Sequence, residues 1–110
     1  MQLNFTDEAM AELCNRRDNL LARFGAAVAR KIAYRLALLA AAPSLQDVPI
    51  GPPVSLLHHD GEEVWSVDLG AGRRLLFQGL LSETAGAVTA ITVLDITGPL
   101  TVVTKEEALR

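Results

Sequence analysis

The side chain best suited to moving protons in this chain is the imidazole of His58, with His59 adjacent to it, Ser55 before and Asp60 just after. An imidazole changes charge near neutral pH, which suits transfer of a proton to or from a reacting oxygen. In extended backbone neighbouring side chains point to opposite faces, so the two rings cannot hold one ion together. With Asp60 nearby and no third spaced ligand, no metal site is expected. Ser55, His58 and Asp60 include the residue types of a hydrolytic triad, but nothing positions them as nucleophile, base and orienter. Gly70-Ala71-Gly72 is too short, and too far from a helix start, to cradle a phosphate. Cys14 shares a helical face with Met10 and Leu13 at i, i+3 and i+4 spacing, and reads as a small packing group rather than a reactive thiol.

The elements that must carry these groups are signalled locally. Gln2 to Phe5 alternates polar and apolar residues as a short strand does. Thr6 offers a helix N-cap, with Asp7 and Glu8 complementing the dipole in the first turn. Asn15 to Asn19 is polar enough to break or bend that helix. Leu20, Leu21 and Phe24 resume an apolar spacing that ends near Gly25, so two helices or one kinked helix fit equally. From Ala26, the residues Val28, Ile32, Leu36 and Leu39 form the stripe of an amphipathic helix that stops before Pro43. Arg30, Lys31 and Arg35 fall outside that stripe, on a face that is either solvated or a docking surface.

Ala42 to Pro53 is rich in Pro, Gly and Ser, but Leu45, Val48 and Ile50 need somewhere to pack, so it reads as a loop or turn. Val54 to His58 and Val64 to Leu69 read as strands, and Gly70-Ala71-Gly72 as a hairpin loop into Arg73 to Gln78. Val88 to Ile96 completes the run, and Thr104 to Glu107 has the form of a capping box that could open a last short helix. If Leu69 pairs with Arg73, then Val67 meets Leu75 and Trp65 meets Phe77 on the core face. Asp68 then meets Arg74 on the other, where the two could form an exposed ion pair. Strands in succession after helices imply an α+β fold with an antiparallel sheet.

Composition agrees with one folded unit. The 110 residues are 50% hydrophobic and 21% charged, which suits a single domain with its own core over residues 1–110 and excludes disorder except at the ends. A single cysteine cannot form an internal disulfide, so a reducing, cytoplasmic setting is expected. Asp7 and Glu8 interrupt any secretory stretch behind Met1, and no apolar run approaches the roughly 20 residues of a membrane span. The formal charge of −3 is uneven: residues 1–42 carry +2 and residues 43–110 carry −5. A nucleic-acid site in the second half would work against its own field.

The order of elements, together with Leu57-His58, Trp65-Ser66-Val67-Asp68-Leu69 and Arg74-Leu75-Leu76-Phe77, resembles the RelE/ParE superfamily of type II toxins, closest to the HigB-like "killer protein" branch. The resemblance spans nearly the whole chain. It implies a RelE-like fold, with an N-terminal strand and helical hairpin on a twisted antiparallel sheet. It also implies a toxin that inhibits translation as an endoribonuclease, cutting messenger RNA on the ribosome by 2′-OH attack without a metal or other cofactor. The expected partners are a cognate antitoxin, of the helix-turn-helix kind, and the ribosome with its message.

Under the resemblance Arg74 matches the family's strand arginine and would stabilise transition-state charge. His58 matches the Leu-His position, given a deletion of about three residues before Trp65, and would transfer protons. Arg73 would contact substrate. Asp95 matches the acid near the end of the last strand, but the family's following Tyr and His are absent, the chain continuing Ile96-Thr97-Gly98-Pro99-Leu100. Either catalysis is rebuilt from His58, Arg73 and Arg74, or the chain acts by protein contact, as a gyrase inhibitor or as a degenerate toxin that only binds its antitoxin.

Overall fold

The computed structural model describes residues 1–59, 63–81 and 88–98. They form an α+β fold. Strand β1 (Gln2–Phe5) leads into helices α1 (Glu8–Asn15) and α2 (Arg17–Ala41), followed by one 3₁₀ turn at Leu45–Asp47. Strands β2 (Leu57–His59), β3 (Val64–Gly70), β4 (Arg73–Leu81) and β5 (Val88–Ile96) follow. The capping box at Thr104 lies outside the described residues.

The five strands lie in the order β1-β5-β4-β3-β2. Strands β2 to β5 pair antiparallel, while β1 runs parallel to β5, from Gln2 opposite Ala90 to Phe5 opposite Val93. The sheet is therefore mixed, a correction to the antiparallel sheet expected from a run of successive strands. Alternation in Gln2 to Phe5 marks a strand but carries no direction. The long excursion between β1 and β5 is what makes a parallel neighbour reachable.

The helical half breaks where its polar and glycine residues fall. Asp7, not Thr6, caps α1: its backbone is extended and its carboxylate accepts from Met10 N at 2.8 Å. Arg16 is extended between the two helices, and Gly25, at φ 83°, kinks α2 where a side chain would be strained. Among the described residues no helix is long and apolar enough to cross a membrane.

Ile32 and Leu39 from α2 are wholly buried with Val67, Leu75, Phe77, Ile91 and Val93, so the helices cover one face of the sheet. Leu45 and Val48 join this core, as expected of the loop's apolar residues, whereas Ile50 departs from that expectation and stays exposed. Cys14 is buried with its Sγ 3.8 Å from Met10 Sδ, as the packing reading requires. Arg35 departs from expectation: it is only 7% exposed, not part of a solvated or docking face. It stands three residues after Ile32 and four before Leu39, on the buried stripe itself.

Candidate functional site

The hairpin between β3 and β4 sets the geometry of the site. Ala71 and Gly72 both take positive φ, as a two-residue hairpin turn matched to strand twist requires. Trp65 faces Phe77, Val67 faces Leu75 and Asp68 faces Arg74, as the alternation of the two strands predicts. The closing pair is Gly70 with Arg73, not Leu69 with Arg73, and the register shifts between Asp68 and Gly70. One extra residue at that bulge absorbs the difference without flipping the strand.

Arg74 therefore stands with Ser66 and Asp68 on the sheet face opposite the core. Its backbone is locked by Thr97, the residue just after β5: Arg74 N donates to Thr97 Oγ1 at 3.0 Å and Thr97 N donates to Arg74 O at 2.9 Å. Its guanidinium donates from Nε to Ser66 Oγ at 2.7 Å, and from Nη2 to the carbonyls of Ser55 and of Ser66, the latter at 3.2 Å. The cross-strand neighbour Asp68 takes no part in these bonds. Ser55 sits at φ 51°, a left-handed conformation uncommon for a non-glycine residue, and the charged donor at its carbonyl helps offset that cost.

Ser66 has no exposed surface and is the hub of the site. Its hydroxyl takes the Arg74 bond and lies 3.2 Å from His59 Nε2. The imidazole that shares a partner with Arg74 is thus His59. Its neighbour His58 pairs across the ladder with Trp65 and stacks on that indole at 4.5 Å between ring centres, with an interplanar angle of 17°. The two rings lie on opposite faces of β2, as the extended backbone predicts.

The other candidate residues do not converge on Arg74. The Arg73 guanidinium lies over the Phe24 ring of α2, 5.3 Å from its centroid, on the helix side of the sheet. Asp95 sits opposite Leu76, and its carboxylate accepts from the following Ile96 N at 2.8 Å. It borders a cleft of about 160 Å³ with Asp7, Met10 and Arg23, again beside the helices. A larger cleft, of about 350 Å³, is apolar and lies between Leu45, Leu56, Trp65 and Val88. Among the described residues no three of His, Cys, Asp and Glu stand together as a group able to hold a metal ion.

Sequence reasoning missed two participants. Ser66 carries no motif signal of its own beyond its place in the Trp-Ser strand, and its role follows only from the cross-strand register. His59 points to the face opposite His58, and only the pairing of Leu57 with Ser66 and of His59 with Val64 shows that this is the Ser66 face. The site that results is one fixed cation, one buried hydroxyl and one imidazole on the face of the sheet away from the core. It can hold an anion and orient an imidazole beside it. No protein-family model matches the chain, and no curated protein matches it.

Proposed function

We propose that the chain is a toxin of a type II toxin-antitoxin system, with a RelE-like fold, that cuts messenger RNA on the ribosome. One observation carries the reading: Arg74 is held on the sheet face away from the core, with an imidazole sharing its hydroxyl partner. In such a cut the 2′-hydroxyl oxygen attacks the adjacent phosphorus, the bond to the 5′-oxygen breaks, and negative charge builds on the phosphoryl oxygens. The attacking oxygen loses its proton and the leaving oxygen gains one. Arg74 would offset the phosphoryl charge. His59 would occupy the place that the resemblance gives to His58, and a helix-turn-helix antitoxin would neutralise the toxin.

A second reading has its own observation. Three of the four expected site residues point elsewhere or are satisfied locally, and Arg74 already spends donors on Ser66 and Ser55. A protein of this fold that acts by contact alone would look the same.

Controlled expression in a bacterial host without antitoxin, with primer extension on a reporter message, separates the two. Growth arrest with discrete cuts in translated message is the expected result. Arrest without cuts would move the target to a protein such as gyrase, and no arrest would leave a binding module.

A further inference from the structure

We infer that Ser66 is a positioning residue that fixes the His59 ring as the tautomer protonated at Nδ1, so that His59 serves as a hydrogen-bond donor. The inference follows from counting protons at one buried oxygen. A serine hydroxyl has one proton to give and two lone pairs to fill. Arg74 Nε always carries its proton, and at 2.7 Å it fills one lone pair of Ser66 Oγ.

The Ser66 proton must then find an acceptor inside the protein, because the residue is wholly buried. The acceptor at hand is His59 Nε2, 3.2 Å away. The opposite arrangement, with Nε2 protonated and donating, would fill both lone pairs and strand the hydroxyl proton in a site closed to water. The bond from Arg74 also polarises the hydroxyl and makes it a better donor. The neutral ring therefore keeps its lone pair engaged at Nε2 and its proton at Nδ1.

The chemical meaning of this arrangement rests on the nuclease reading. There, His59 would join Arg74 in donating to a phosphoryl oxygen as charge builds, rather than accept the proton of the 2′-hydroxyl. The tautomer itself does not depend on that reading, and the two can fail separately.

The test is long-range proton–nitrogen correlation NMR of the uniformly ¹⁵N-labelled full chain at about pH 8, with His58→Gln used to assign the two rings. The expected spectrum shows His59 Nε2 as a bare nitrogen and Nδ1 as N–H, with roughly a tenfold or greater excess of that tautomer. Ser66→Ala should erase the excess, and Ser66→Thr, which keeps the hydroxyl, should restore it. Should Ser66→Ala fail to fold, Arg74→Gln serves instead, because freeing a lone pair on Ser66 lets both tautomers form. A wild-type ring protonated at Nε2, or an excess that survives loss of the hydroxyl or of the Arg74 donor, overturns the inference. A fixed tautomer in a protein that cuts no message would retain the relay and remove the nuclease.

Discussion

Arg35 Nε donates to the main-chain carbonyl of Asp68 at 2.8 Å, and Nη2 of the same guanidinium reaches the Pro53 carbonyl at 3.2 Å. A buried cation on α2 thus ties the segment before β2 to β3. On the other face Arg74 does the same through Ser55 and Ser66, and Asp68 N donates to Val54 O at 2.8 Å between them. The irregular chain from Pro53 to Ser55 is held to β3 by two arginines and one ladder-like bond.

Removing the first of these ties should be costly. Arg35→Ala leaves two carbonyls without their donor and deletes the packed stem of a buried side chain, a loss of about 2 to 4 kcal/mol. Arg30→Ala and Lys31→Ala, on the exposed side of the same helix, should each stay within about 0.5 kcal/mol of wild type. Urea unfolding midpoints measure all three. An Arg35→Ala midpoint equal to that of Lys31→Ala would show that the guanidinium holds nothing.

The contact between Trp65 and Gly79 predicts a second loss. A β-carbon on Gly79 would lie 2.7 Å from Trp65 Cζ3 and 3.1 Å from Val88 Cγ1, so the indole must shift. Gly79→Ala should destabilise by about 1 to 3 kcal/mol through overpacking. The protein's single tryptophan makes the shift visible as altered intrinsic fluorescence in the folded state. Unchanged emission and stability would mean that the ring is not seated on the glycine.

Much of this arrangement was legible in the sequence because it rests on short-range periodicity. Alternation along Trp65 to Leu69 and along Arg73 to Gln78 fixes which residues face each other, since a strand slipped by one residue would put Phe77 on the open face. The breaks at Asn15 to Asn19 and at Gly25 are likewise local. What was not legible depends on distant partners. The direction of β1 is set by its pairing with β5, and the bulge before Gly70 by the two-residue turn. At Arg35 the charge argues for solvent, so the sequence alone predicts a surface cation. Its acceptors are carbonyls 18 and 33 residues away, and no local pattern announces them.

Cys14 gives the fold a defined response to alkali. Burial pushes its thiol from the ordinary 9.0 up to about 11. Above the ordinary value the unfolded chain has lost this proton while the folded chain still binds it, so stability falls as pH rises. Between pH 9.0 and about 11 the loss attributable to this group is about 1.4 kcal/mol per pH unit, and it levels off above. Cys14→Ala, despite its small cavity, should show a flatter stability curve over that window. The difference in unfolding free energy between wild type and variant, measured from pH 8 to 11, checks it; parallel curves would mean that the thiol ionises equally in both states.

Arg73 and Arg74 are adjacent in sequence and serve opposite faces of the sheet, which makes them the sharpest pair for separating structure from activity. Arg73 rests on Phe24, which Arg23 also approaches at 5.7 Å, so Arg73→Ala should cost only about 0.5 to 1 kcal/mol. Arg74→Ala strips donors from Ser66 and Ser55 and should cost about 1 to 3 kcal/mol. Arg74→Lys keeps the charge, but a single ammonium cannot reproduce a planar fork that serves the Ser66 hydroxyl through Nε and two carbonyls through Nη2. If Arg74 faces the phosphate, both Arg74 variants lose growth arrest while Arg73→Ala, on the helix side, retains it. Growth curves on induction, read beside urea midpoints for each variant, decide the matter. Retained arrest in a folded Arg74→Ala protein would make Arg74 a clasp for the Ser55 segment and nothing more.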